Sequence, residues 1–202
     1  MPGNYTLIKN ANIVDIQART TELGSILMRR REGGTPGGIE AVWYGSGLPV
    51  ALPDGCEVYD ARGALALPAF IDMHCHLREP GEEEKETIYT GTGAALAGGY
   101  GAVVAMPNTK PPVDSAARLR GVFEKVRQWG LCEVLPAAAI TVGQQGRELC
   151  DFDALHEAGA VAFTDDGMPV SDAGVMREAM MRCAENGYII ISHCEELSLS
   201  AG

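Results

Sequence analysis

From residue 66 onward, short apolar runs alternate with helix-like segments, and this alternation constrains the fold more than any other feature of the chain. The strand candidates cover residues 67–76, 102–108, 134–141, 160–166 and 188–193. The helical segments between them cover 82–97, 115–129, 147–158 and 172–186. Near-continuous apolar strands separated by helices are typical of a parallel sheet. The sequence therefore predicts an α/β fold for this region.

The number of strands leaves two architectures open. Each strand–helix unit takes about 30 residues, as expected for a parallel crossover. A closed (β/α)8 barrel needs eight such units and typically about 250 residues, whereas only five strands fit between residue 66 and the C-terminus. The region is therefore either an open, doubly wound sheet or an incomplete barrel.

The first 65 residues differ from the rest of the chain. They contain four short β-like runs, separated by Gly and Pro turns: TLIKNANIVD, SILMRR, IEAVWYG and CEVYDARG. Such spacing of short strands and turn residues is typical of a small β domain. We therefore predict two domains, a β domain over 1–65 and an α/β domain over 66–202.

Composition excludes several functional classes. The 202 residues include 16 Lys and Arg against 27 Asp and Glu, a net charge of −11, which opposes binding to nucleic acid. No apolar run is long enough to span a bilayer, and the N-terminus lacks the basic and apolar regions of a signal peptide. The six cysteines are scattered without a CxxC pair, as in reduced proteins. We expect a cytoplasmic protein without nucleic-acid or membrane partners.

Histidines mark the ends of two predicted strands. His74 and His76 are two residues apart, so the period of a strand turns both imidazoles to one face, where one metal ion could bind both. His193 ends the last strand. The carboxyl ends of parallel strands are where α/β folds place their active sites. The pattern predicts a metal site at this edge, with Zn2+, Mn2+ and Co2+ all compatible with the ligand types.

A carboxylate ligand is expected from the fourth strand, which ends in two aspartates. Alternation groups Asp166 with Thr164 on one face and Asp165 with Phe163 on the other. The bulky Phe163 suits the layer between strands and helices. Asp166 is therefore the preferred ligand, and Asp165 remains the alternative.

An acidic run at residues 82–86 follows Pro80-Gly81. Acidic side chains are favoured in the first turn of a helix by the helix macrodipole. The run is therefore predicted to open the first helix of the α/β domain.

Four motifs carry a resemblance to a known family. The stretch PAFIDMHCHLREPG at 68–81 resembles the metal-binding signature of dihydroorotases, in the amidohydrolase superfamily, and AMPNTKPPVD at 105–114 is similar to the second signature of that family. FTDDG at 163–167 and HCE at 193–195 continue the resemblance. It implies an incomplete (β/α)8 TIM barrel, with about the first five βα units, preceded by the N-terminal part of a small β-sandwich domain.

The resemblance also implies a site, in the aspartate-bridged bacterial form of the family. A complete site would hold two Zn2+ ions: His74 and His76 would bind one, His193 would bind the second, and Asp166 would bridge them. Arg78 and Asn108 would hold the α-carboxylate of the substrate. The aspartate that acts as general acid and base, together with a further histidine ligand, is expected beyond Gly202.

The implied reaction is the reversible cyclisation of N-carbamoyl-L-aspartate to L-dihydroorotate in de novo pyrimidine biosynthesis. Because the chain stops before the strands that would complete the site, we expect negligible activity from residues 1–202 alone. An open half-barrel leaves sheet edges unpaired, so we also expect the chain to self-associate, as in a homodimer, to misfold, or to need its missing half.

Two other interpretations remain. One is a non-catalytic, dihydroorotase-like partner of aspartate transcarbamoylase, which is disfavoured because a scaffold has no physical need for the ligands His74, His76, Asp166 and His193. The other is a cyclic amidohydrolase of the hydantoinase or allantoinase type, which Arg78 and the Asp-Asp-Gly string disfavour.

Overall fold

The computed structural model of the protein describes residues 4–30, 37–47 and 51–200. The chain divides into two compact units, Met1–Pro68 and Ala69–Gly202.

The first unit contains one mixed five-stranded sheet. Its strands are β1 (Tyr5–Asp15), β2 (Thr20–Arg29), β3 (Gly38–Tyr44), β4 (Glu57–Asp60) and β5 (Leu65–Ala66). The order is β3-β2-β1-β4, with β5 also paired to β1. The contacts β1–β2 and β2–β3 are antiparallel, whereas β4 and β5 run parallel to β1. The four β-like runs of the sequence lie in β1 to β4, and the two-residue β5 is an addition.

The buried side chains of this sheet lie in its two central strands. Leu7, Ala11 and Ile13 of β1 and Leu27 of β2 are among the buried apolar residues. The register of β1 against β2 shifts once, between Ile8 and Ala11, as in a β-bulge.

The second unit contains a parallel sheet with helices after its strands. The strands are β6 (Phe70–Cys75), β7 (Tyr100–Ala105) and β8 (Glu133–Pro136), in that order. The helices are α1 (Ile88–Ala97), α2 (Ala116–Trp129), α3 (Phe152–Glu157), α4 (Ala173–Asn186) and α5 (Leu197–Ser200). The predicted α/β class is confirmed. In the described part of the chain, every helix is too short or too polar to cross a membrane.

The fourth and fifth predicted strands, at 160–166 and 188–193, are reduced to isolated parallel bridges. Phe163 bridges to Ala138 on one side and to Ile190 on the other. The amide of Phe163 donates to the carbonyl of Ile189 at 2.8 Å, and its carbonyl accepts from the amide of Ile191 at 2.9 Å. The predicted direction of both segments is therefore right, but their extent as strands is wrong.

The third strand is also shorter than predicted, since β8 ends at Pro136 and not near residue 141. The amides of Ile140 and Thr141 donate to the carboxylate of Asp165, at 2.8 and 3.1 Å. Before these two residues, the backbone pairs with several segments in turn: the amide of Ala137 donates to the carbonyl of Ala105, that of Ala138 to Ala162 and that of Ala139 to Val113. Residues 137–141 therefore form no continuous ladder with one neighbouring strand, which the apolar pattern of the sequence does not reveal.

Helix α1 begins at Ile88, so the prediction that the acidic run 82–86 opens it is wrong. Thr87 caps the helix by accepting a hydrogen bond from the amide of Thr90, and the buried carboxylate of Glu79 accepts from the amide of Ile88 at 3.0 Å. These two side chains satisfy the first free amides of the helix. The acidic run therefore precedes the helix and is available for other contacts.

The two faces of the parallel sheet bury different residues. The face toward the helices includes Val103, Ala105, Ala138 and Phe163. Their neighbours in sequence form a second cluster on the opposite face: Val104, Met106, Ala137 and Ala162. The alternation with period two thus holds across the parallel segments, even where the ladder consists of single bridges.

Substitution Phe163→Ala is expected to lower the free energy of unfolding by about 3–5 kcal/mol, because the ring is a large buried side chain. Phe163 is 1% exposed and packs on Phe152, with ring centroids 4.4 Å apart. Urea unfolding followed by circular dichroism measures the change. The control Leu96→Ala removes a half-exposed side chain of α1 and should change the same quantity by about 0.5 kcal/mol or less. Equal effects of both substitutions would contradict this packing.

Candidate metal centre

Three imidazoles converge on one carboxylate at the carboxyl end of the parallel sheet. Asp166 Oδ1 lies 3.4 Å from His74 Nε2 and 3.4 Å from His193 Nδ1. Asp166 Oδ2 lies 3.4 Å from His76 Nε2. The structure therefore brings together the four side chains that the sequence suggests as metal ligands, from three separate segments of the chain.

Alternation explains why Asp166 and not Asp165 faces this cluster. Phe163 packs toward the helices and Ala162 toward the opposite face, so Asp166 follows Ala162 and Asp165 follows Phe163. Asp165 is 2% exposed and accepts from the amides of Ile140 and Thr141 and from the Thr141 hydroxyl. Burial raises the pKa of Asp165, partly offset by these hydrogen bonds. The geometry favours Asp166 as the ligand and gives Asp165 a structural contact.

The spacing of the donor atoms suits a shared metal ion. A separation of 3.4 Å between nitrogen and oxygen is longer than the 2.7–3.2 Å typical of a hydrogen bond. It is close to the distance of about 3.4 Å between two ligands that each lie about 2.0–2.1 Å from a tetrahedral zinc. One ligand atom from each of His74, His76 and Asp166 lies within 4.8 Å of the others. Imidazoles with one carboxylate are ligands for Zn2+ and similar divalent ions.

Asn108 lies inside this cluster. Its Oδ1 is 3.0 Å from His76 Nδ1, and its Nδ2 donates to Asp166 Oδ2 at 3.1 Å. The resemblance to dihydroorotases implies a substrate-binding role for Asn108. In the structure its amide contacts two of the candidate metal ligands.

Glu195 contacts His193, which the sequence did not predict. Its carboxylate lies 3.0 Å from His193 Nε2 and accepts from the Ser200 hydroxyl at 2.7 Å. Hydrogen bonds from Ser200 and His193 lower the pKa of Glu195. A carboxylate on the outer nitrogen of a metal-binding histidine is a common orienting contact. The only signal in the sequence is an acidic residue two positions after His193.

Arg78, the other candidate for substrate binding, contacts the acidic run. Its Nη1 lies 3.8 Å from Glu82 Oε2. The buried Glu82 carboxylate also pairs with Lys85 at 2.6 Å and Lys110 at 2.7 Å. Hydrogen bonds from Lys110 and Lys85 lower the pKa of Glu82 from 4.5 to about 2. Glu82 is thus an ionised anchor for three cationic side chains.

The loops that carry Arg78 and Asn108 lie against each other. The amide of Lys110 donates to the carbonyl of Pro80 at 2.9 Å. Gly81 has a φ of 97°, and a Cβ at this position would overlap the Lys110 carbonyl oxygen. Only glycine accommodates both the left-handed backbone and this close approach. The Glu82–Lys110 ion pair joins the same two loops.

Comparison with known proteins identifies relatives of this chain. The family model described as dihydro-orotase-like matches residues 63–202. The chain is 45% identical over 194 residues to a dihydroorotase of Sulfurihydrogenibium sp. (strain YO3AOP1), covering 96% of this chain and 44% of that protein. It is 54% identical over 144 residues to a dihydroorotase of Geobacillus sp. (strain WCH70), covering 71% of this chain and 34% of that protein. The chain thus spans less than half the length of these curated relatives.

Solved structures show the same fold at lower identity. An L-hydantoinase (dihydropyrimidinase) from Arthrobacter aurescens superimposes with a TM-score of 0.75 at 18% identity, covering 95% of this chain and 41% of that one. A D-hydantoinase (dihydropyrimidinase) from Thermus sp. has a TM-score of 0.69 at 26% identity, covering 96% and 41%. A crystal structure of a dihydroorotase has a TM-score of 0.61 at 15% identity, covering 96% and 52%.

The Glu82→Gln variant should have a lower free energy of unfolding than the wild type at pH 7. The margin between the two proteins should decrease as the pH falls. A folded-state pKa of about 2, below the ordinary 4.5, stabilises the folded protein above pH 4.5, and this contribution is lost as the pH falls toward 2. Urea midpoints of both proteins from pH 7 to pH 3 measure the margin. The exposed neighbour provides the control Glu84→Gln, with a smaller margin at pH 7. A margin for Glu82→Gln that stays constant down to pH 3 would contradict the assignment.

Proposed function

Because the chain belongs to the dihydro-orotase-like family, we propose that it forms the metal-binding part of a dihydroorotase. The reaction is the reversible cyclisation of N-carbamoyl-L-aspartate to L-dihydroorotate, a step of de novo pyrimidine biosynthesis. The observation that carries this proposal is the convergence of His74, His76 and His193 on the carboxylate of Asp166. Identities of 45–54% to proteins named dihydroorotase support it.

In this proposal, residues 66–202 are the first five βα units of a (β/α)8 barrel, and residues 1–65 are the N-terminal part of a β-sandwich domain. The parallel order β6-β7-β8 supports the barrel, because the bridges at Phe163 extend the sheet by two further parallel segments. A TM-score of 0.75 to a hydantoinase also supports it. The six free cysteines fit the cytoplasm, a reducing compartment.

The ligand set fits two zinc ions that share one carboxylate. His74 and His76 would hold one ion and His193 the other, and the Asp166 carboxylate would bridge them. When zinc is bound, it polarises the carbonyl of a cyclic amide and lowers the pKa of its water to about 7. The chain itself supplies the orientation: Glu195 contacts the outer nitrogen of His193, and Asn108 contacts His76 and Asp166.

Arg78 would bind the carboxylate of the small acidic substrate. A guanidinium offers two parallel donors to a carboxylate, which gives both affinity and orientation. Glu82 Oε2 lies 3.8 Å from Arg78 Nη1, so this ion pair would help to orient the guanidinium before the substrate binds. The ion pairs of Glu82 with Lys85 and Lys110 hold this anchor in turn.

A hydantoinase is the second candidate, since the structural likeness to hydantoinases is high. At 18% identity, however, such a likeness shows the fold alone. Hydantoin and dihydrouracil lack the carboxylate of L-dihydroorotate that Arg78 would bind in this proposal, so the proposal predicts a preference for L-dihydroorotate. Substrate choice therefore separates the two candidates.

Metal binding can be tested on the chain itself. The purified chain is expected to bind Co2+ with the visible absorption bands of a protein-bound ion, and Zn2+ should displace it. His74→Ala should weaken binding severely, because it removes a ligand. His156→Ala is the matched control, because His156 stacks on Tyr188, with ring centroids 4.4 Å apart, and contributes no ligand in this proposal. Equal Co2+ binding by the wild type and His74→Ala would contradict the proposed site. A wild-type chain that binds no Co2+ would contradict it too.

Substrate choice can be tested in a hybrid protein, in which residues 1–202 of this chain replace the matching portion of the Sulfurihydrogenibium dihydroorotase. The zinc-loaded hybrid should hydrolyse L-dihydroorotate in preference to hydantoin. Arg78→Met should raise the KM for L-dihydroorotate about 10- to 100-fold, the value of a charge-assisted contact of about 1.5–3 kcal/mol. The zinc content of the variant should be unchanged. Preference for hydantoin, or an unchanged KM, would contradict the proposed substrate.

A further inference from the structure

Asn108 joins two of the candidate ligands through opposite ends of its amide. Oδ1 lies 3.0 Å from His76 Nδ1, while Nδ2 lies 3.1 Å from Asp166 Oδ2 and 3.4 Å from the Asp166 carbonyl oxygen. Asp166 Oδ1, in contrast, faces His74 and His193. Asn108 therefore acts on the carboxylate oxygen that lies toward His76.

The chemistry of these groups determines how the amide is oriented. An ionised carboxylate can only accept hydrogen bonds, so the donor Nδ2 of Asn108 must face Asp166. The carbonyl end of the amide then faces His76, and a carbonyl oxygen can only accept. His76 Nδ1 must consequently carry the proton, which leaves the lone pair of Nε2 free on the side of Asp166.

We propose that Asn108 is a positioning residue for the metal centre, which fixes His76 in its Nδ1–H tautomer and holds Asp166 Oδ2 beside the free Nε2 atom. The inference rests on the metal site of the proposed function. It assigns Asn108 a contact with the ligands, whereas the resemblance to the family implies a contact with the substrate carboxylate.

The segment around Asn108 is held by contacts outside the metal site. The amides of Thr109 and Val113 both donate to the carbonyl of Pro107, at 2.8 and 3.0 Å, and the Thr109 hydroxyl donates to the carbonyl of Pro111 at 2.7 Å. Lys110 ties the same loop to Pro80 and Glu82. Backbone hydrogen bonds therefore close the turn that presents the Asn108 amide, and these bonds do not involve the Thr109 hydroxyl.

The affinity of the full 202-residue chain for Zn2+, measured by competition with a chromophoric chelator, tests this inference without any substrate. Asn108→Leu should weaken the affinity about 10- to 100-fold, the usual cost of removing a group that orients metal ligands. Thr109→Val is the matched control: it removes a buried hydrogen bond from the same turn but no contact with a ligand, and the affinity should be unchanged. If Asn108 only bound the substrate, Asn108→Leu would bind Zn2+ as tightly as the wild type, which would overturn the inference. Equal weakening by Thr109→Val would overturn it too.

A second measurement does not depend on metal affinity. Nitrogen NMR of the metal-free chain, at a pH where imidazoles are neutral, should show His76 protonated on Nδ1 in the wild type and in Thr109→Val. Asn108→Leu should lose this preference. A wild-type His76 protonated on Nε2 would overturn the inference even if the variants fail to fold. A wild-type chain that binds no Zn2+ would count against the proposed function, and the tautomer would still decide the role of Asn108.

Discussion

The contact of one carboxylate with three imidazoles is the interaction on which the rest of the site depends. Asp166 is 6% exposed, and a buried carboxylate without charged or hydrogen-bonding partners is costly. Its partners are His74 in β6, His76 in the turn after β6, and His193, which lies far along the chain from the other two. They meet because parallel segments end at one edge of the sheet. The parallel order of the sheet is therefore the physical reason why the candidate metal ligands meet.

Neighbouring acidic residues in this protein have opposite uses, according to the face on which they lie. Asp166 faces the imidazoles, while Asp165 turns toward the helices and receives the amides of Ile140 and Thr141. Glu79 similarly accepts from the first amide of α1 and pairs with Lys125 at 2.7 Å. These carboxylates hold the loops at the edge of the sheet, so packing and hydrogen bonds position the candidate ligands without a bound ion.

Much of this arrangement follows from the period of a strand. Alternation from His74 to His76, and from Phe163 to Asp166, is enough to predict which side chains share a face. The extent of the third strand could not be predicted, because the amides after Pro136 donate in turn to different segments and then, at Ile140 and Thr141, to the Asp165 carboxylate. The contacts of Asn108, Glu195 and Glu82 were missed for a related reason. Each depends on the geometry of a turn, and no hydrophobic pattern records that geometry.

The central claim is that Asp166 and the three histidines hold zinc. The most direct test is a crystal structure of the zinc-loaded protein, with diffraction recorded on both sides of the zinc absorption edge. Anomalous peaks are expected at about 2.0–2.2 Å from the ring nitrogens of His74 and His76 and from the carboxylate of Asp166. Zinc bound elsewhere in a crystal in which these four side chains are well ordered would contradict it.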